Sequence, residues 1–204
     1  MNNNNATNNF IIRVLVSGDR YVGKSSLINA FLGKEFNPNI KYSTYLTDFF
    51  SKTIYLEGNS YKITLIDIPS SERYRAVLRS YLRNINIIIL TFDMTQKRTF
   101  LELEHLLDFI IENTNKKVKI ILIGNKSDLK DNWQIKEKEG IEFAKILNAE
   151  FYLSSCKTNS SGLRDFLNNY FQNFITNNRD EFENNDRYRI QPARNRRRRN
   201  RTSC

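Results

Sequence analysis

An apolar run, FIIRVLVS, leads straight into GDRYVGKS at Gly18–Ser25, and SSLINAFLG follows with apolar residues at helical spacing. A strand that turns through a G-x-x-x-x-G-K-S loop into a helix is the tightest constraint this chain places on its fold. Backbone N–H groups of such a loop wrap phosphate oxygens, and the helix turns its positive end toward them. Lys24 supplies a charge for the β- and γ-phosphates, and the Ser25 hydroxyl suits Mg²⁺. Gly18, Asp19, Arg20, Tyr21, Val22 and Gly23 form the cradle, with Ser26 following it into the helix.

The rest of the pattern alternates. TDFFSKTIYLEG and SYKITLIDI read as two strands around a tight turn, a hairpin signal. INIIILTFD, KVKIILIGN and EFYLSS are further strands, separated by the helical segments TFLELEHLLDFIIEN and IKEKEGIEFAKILN, with LRDFLNNYFQNFITNN last. Near-continuous Ile/Leu/Val strands between helices predict an α/β fold: a mostly parallel six-stranded sheet with one antiparallel edge strand and helices on both faces. Ligands of such sheets sit at the carboxyl ends of the strands.

The 204 residues suffice for one domain with tails. The Asn-rich opening, 1–9, and the segment 178–204 are expected to be disordered around a folded body at 10–177. Of the net charge of +10, eight arginines with no acid fall at or after Arg187, so the body carries only about +2. Two cysteines, Cys156 and Cys204, give no disulfide framework and fit a reducing compartment. INIIILTF is too short to span a bilayer, so a membrane-bound form must be anchored. His105 has no catalytic partner near it in sequence and reads as a surface residue.

A second site follows the strand KVKIILIG. Asn125, Lys126 and Asp128 form N-K-x-D, whose carboxylate can accept both donors of a guanine edge. A buried polar pairing of this kind rejects the wrong base strongly. SSCKT follows the next strand, placing Ser155, Cys156 and Lys157 to close over the base.

The order GDRYVGKS, ST…DF, D-x-x-x-x-E, GNKSD, SSCK resembles that of Ras-like small GTPases, the P-loop NTPase small G domain. FDMTQKRTF, SERYR and an arginine-rich tail ending in cysteine look most like the Rab branch. The resemblance spans residues 10–177. It implies GTP or GDP with Mg²⁺, held by Ser25, Thr44 and Asp67. Thr44 would be the switch threonine; the interval from Ser25 is one residue longer than usual, which leaves Thr47 as a second candidate. It also implies effector proteins meeting residues 36–50 and 67–80, and exchange and prenylation-escort factors.

The chain then departs from that family. Where T-A-G-Q-E is usual after the aspartate, this chain reads Ile68-Pro69-Ser70-Ser71-Glu72. Ser70 keeps the N–H that meets the γ-phosphate but adds a Cβ, and Pro69 restricts Ile68. Ser71 occupies the position of the catalytic glutamine and is too short to orient the attacking water by itself. Arg20 stands where small residues are usual and obstructs a partner's arginine finger; a built-in finger is the other reading of Arg20. The expectation is a GTP-binding switch with slow hydrolysis, the alternative a pseudo-GTPase adaptor.

The tail RNRRRRNRTSC makes Cys204 the candidate for lipidation, one chain beside a polybasic stretch that favours anionic membrane on the cytoplasmic side. A solvated tail is the plainer alternative. No aromatic stacking platform accompanies the arginines, so no nucleic-acid partner is expected.

Overall fold

The computed structural model describes residues 8–39, 46–69, 75–114, 118–185 and 188–189. Its six strands are β1 (Asn9–Ser17), β2 (Asp48–Leu56), β3 (Asn59–Asp67), β4 (Ile87–Asp93), β5 (Lys119–Asn125) and β6 (Glu150–Leu153). The helices are α1 (Lys24–Phe31), α2 (Arg75–Leu82), α3 (Lys97–Asn113), α4 (Glu137–Ile146), α5 (Ser160–Asn177) and α6 (Arg179–Asn184).

The strands form one sheet in the order β2-β3-β1-β4-β5-β6, with only β2 antiparallel to its neighbour. The expected α/β architecture is therefore the observed one. All seven residues of β4 are buried, as a strand covered on both faces requires. Alternation sorts its side chains. Ile87 and Ile89 join Val14 and Val16 of β1 in a core with Leu27 and Phe31 of α1 and Leu167 and Phe171 of α5. Ile88 and Leu90 point the other way, to Leu78 and Leu82 of α2 and Leu103 and Leu107 of α3. Parallel strands crossed by helices leave their carboxyl ends, and the loops that follow them, along one edge of the sheet.

Two parts of the chain differ from the sequence expectation. Helix α2 stands where the sequence pattern suggested no element. More consequentially, the disorder expected from 178 onward does not hold for 178–185 and 188–189. Phe182 and Tyr188 are buried and share an aromatic cluster with Phe10, Tyr61 and Phe174. Arg179 pairs with Glu57 and Glu183, Tyr188 donates its hydroxyl to Glu181 at 2.6 Å, and Arg189 bridges Phe10 antiparallel. Aromatic burial holds a segment whose average composition is strongly polar. At the other end, β1 begins inside the Asn-rich opening, and the Asn8 carbonyl accepts from the Ser60 amide.

Candidate functional site

The carboxyl edge of the sheet gathers the ends of β1, β3, β4 and β5 at Ser17, Asp67, Asp93 and Asn125. The chain leaves β1 through a loop with two positions too tight for a Cβ. Gly18 has φ +143° and a Cβ there would overlap the Thr91 carbonyl. Gly23 has φ +100° and a Cβ would run into the Asn125 carboxamide. Tyr21 is also left-handed, at φ +61°, a conformation that strains a residue with a Cβ. Its ring stands 70% exposed. Arg20 is exposed beside it, and its amide donates to Asp19 Oδ1 at 2.6 Å.

Lys24 opens α1 and lies buried. Its ammonium donates to the Gly18 and Asp19 carbonyls at 3.1 and 2.7 Å. Burial lowers it from 10.5 to about 8, against the attraction of Asp67 and Asp19, with Arg20 adding to the lowering. A buried cation at a helix N-terminus is poised for an anion, which would restore the charge that burial penalises. The first turn of α1 carries no acidic residue to compete.

Next to it, Ser25 donates its hydroxyl to Asp67 Oδ2 at 2.5 Å, and Asp67 is buried at the end of β3. These are hard oxygens, one of them anionic, and the described residues contain no group of three or more His, Cys, Asp or Glu suited to a metal. That donor set fits Mg²⁺, which keeps most of its waters and takes one or two protein oxygens. Thr44, the expected third ligand, lies outside the described residues. Thr47 is half-buried immediately ahead of β2.

The N-K-x-D residues are brought beside this loop in distinct roles. Asn125 is buried and donates to the Val22 carbonyl at 2.8 Å, so it braces the phosphate loop. Lys126, at φ +62°, pairs with Asp93 Oδ2 at 2.5 Å. Asp128 is exposed and its Oδ1 accepts from the Ser155 hydroxyl at 2.7 Å, which leaves the loop after β6 tied to the N-K-x-D loop. Ser155 also receives the Thr158 amide at 3.0 Å. Cys156 is buried, its thiol pushed up to about 11 by desolvation, and it contacts Asn125 Oδ1 at 3.6 Å. It is a packed residue of the loop. Lys157 is exposed in the loop after β6. Ser26 is half-buried in α1 behind the loop. Ser70, Ser71 and Cys204 lie outside the described residues.

Two contributors were missed in the sequence. Asp93, buried at the end of β4, also accepts from the Thr95 amide and hydroxyl, which fixes it opposite Lys126. Arg98, on the first turn of α3, reaches Asp19 Oδ2 at 2.7 Å. The position of Asp93 at a strand's carboxyl end was the available signal.

A model of the Ras family matches residues 13–177, which covers every strand from within β1 through α5. The chain belongs to the Ras family. Ras-related protein SEC4 of Candida albicans strain WO-1 is 34% identical over 151 residues, 74% of this chain and 71% of that protein. The same figures hold for Ras-related protein SEC4 of Candida albicans strain SC5314. The Ras-like small GTPase expected from the motif order, with its Rab-branch features, is thus the family found. Ras-family proteins bind GTP or GDP, generally with Mg²⁺. No helix among the described residues of this Ras-family chain is long and apolar enough to cross a membrane.

Proposed function

We propose that this chain is a GTP-binding switch acting in vesicle traffic at a cytoplasmic membrane face, with a slow off-step. The observation that carries the reading is the convergence at one loop of a buried Lys24, the Ser25–Asp67 pair and the Asn125 brace. Lys24 and the α1 N-terminus would receive the phosphates, Asp128 and the loop after β6 would receive guanine, and Ser25, Thr44 and Asp67 would hold Mg²⁺, which would supply charge neutralisation to the phosphates. Thr44 and the segment after Asp67 order around the γ-phosphate and relax in its absence, presenting 36–50 and 67–80 to effectors in one state only.

Slow hydrolysis is expected from Ser71, which replaces the glutamine that orients the attacking water, from the Cβ that Ser70 adds and the restraint that Pro69 places on Ile68, and from Arg20 on the exposed lip of the loop. The test is paired: GDP and GTP affinity by calorimetry and single-turnover hydrolysis, for wild type and for Ser70→Gly with Ser71→Gln. The reading expects tight binding in both, and a substantially faster turnover in the double variant. A wild-type rate typical of family members that keep the glutamine removes the slow off-step, a double variant no faster than wild type removes its attribution to Ser70 and Ser71, and absent nucleotide binding favours the pseudo-GTPase adaptor. Membrane attachment is read from the arginines after Arg187 and from Cys204 as the lipid site. Cys204→Ser should move the protein from the pelleted to the soluble fraction.

A further inference from the structure

The loop GDRYVGKS carries one carboxylate, that of Asp19. Asp19 directly follows Gly18, and its side chain is only 15% exposed, so water screens it incompletely. Its backbone carbonyl accepts from Lys24 Nζ at 2.7 Å, which makes it a direct neighbour of the phosphate lysine. Its two carboxylate oxygens are both engaged. The Arg20 amide donates to Oδ1 at 2.6 Å, and Arg98 Nη2 donates to Oδ2 at 2.7 Å.

The turn that carries Arg98 is fixed. Thr99 Oγ1 accepts from the Asp93 amide at 3.0 Å and donates to the Gln96 carbonyl at 2.8 Å. The Lys97 amide donates to Gln134 Oε1 at 3.0 Å. The guanidinium itself is 70% exposed, so the pair adds little to folding stability. Its effect falls instead on whatever negative charge enters the loop.

We propose that Arg98 is a positioning residue of the phosphate site: by neutralising Asp19 it lets the loop accept a triphosphate as readily as a diphosphate. The proposal rests on the guanine-nucleotide reading above. Without Arg98, the Asp19 carboxylate repels the incoming phosphates, and repels the triphosphate more because it carries more charge. Removing both charges restores a loop with no net contribution from the pair.

The experiment measures GTP and GDP affinity of the full chain for wild type, Arg98→Ala, Arg98→Lys, Asp19→Asn and the double variant Asp19→Asn with Arg98→Ala. Arg98→Ala should weaken GTP by about two- to fivefold, the size of a partly exposed charge contact, and GDP by less. Arg98→Lys and the double variant should return to within about twofold of wild type. The difference should also shrink in about 1 M salt, where the screening length is about 3 Å. A purely structural tie predicts the opposite pattern: Asp19→Asn and the double variant would be as weak as Arg98→Ala, at any salt. That pattern, or equal losses for GTP and GDP, or no loss at all, overturns the proposal. A wild-type chain that binds neither nucleotide overturns the functional reading as well, and is told apart by the wild-type measurement alone. Thermal melts of the five proteins check that each is folded.

Discussion

Lys24 is held in a state that the fold itself disfavours. Desolvation is the largest cause of its lowering to about 8, and the attraction of Asp67 and Asp19 offsets only part of it. The unfolded chain therefore binds more protons at this side chain than the folded chain between about pH 8 and 10.5. Stability from this group rises with pH across that window, and the destabilisation is fully present below it. In the nucleotide-free protein, denaturant melts from pH 7.5 to 10.5 should show that upward slope, and Lys24→Met should flatten it. Bound phosphate should flatten it too, by returning the ammonium toward its ordinary value. Tyr21 carries strain of a different kind. Its left-handed φ of 61° costs about 1 kcal/mol in a residue with a Cβ, so Tyr21→Gly should raise the melting temperature of the free protein modestly. No loss of stability is expected there, because the ring stands largely in solvent. Residue types at this site were legible in the sequence; their roles were less so. Asn125 was read with the base motif, yet its buried carboxamide holds the Val22 carbonyl, a long-range contact that no local spacing announces.

At the level of elements, strands and long helices could be read because each repeats its apolar residue several times. Helix α5 buries Leu163, Leu167, Phe171 and Ile175, four marks at one spacing. Helix α6 offers one, Phe182, inside RDEFEN. A single apolar residue in a charged turn defines no period, so composition pointed to a solvated tail. The pairing that orders it, with Phe10 and Tyr61, joins residues more than a hundred positions apart. Truncation separates the two views. A chain ending after residue 189 should melt with the full-length protein, whereas one ending after 177 should lose stability, because Phe10, Tyr61 and Phe174 lose their cover. Phe182→Ala alone should cost about 3–5 kcal/mol, read from urea unfolding. Helix α2 was missed for a related reason: it is two turns long and follows Pro69, where the pattern had already been interrupted.

For the molecule as a whole, the parallel sheet sets two poles. The loops after β1, β3, β4, β5 and β6 share one edge, and the start of β1 with α6 and Arg189 lies at the other. A ligand bound to the first pole ties several strand ends at once. GDP at about a hundred times its dissociation constant should therefore stabilise the protein by about 2.7 kcal/mol, seen as a single cooperative shift in the melt. ADP at the same concentration should leave the melt unmoved.

The bridge between Phe10 and Arg189 has a mechanical meaning. Any load borne by the chain beyond Arg189 enters the body through the bridge and the α6 aromatic seat before it reaches α5 or the sheet interior. Those contacts sit at the foot of β1, about 25 Å along the strand from the phosphate loop. Peeling away the bridge and the rings of Tyr188 and Phe182 adds about ten residues of slack without disturbing Gly18 or Lys24. The seat is thus expected to act as a fuse in series with the domain, yielding first under tension while the nucleotide pole stays intact.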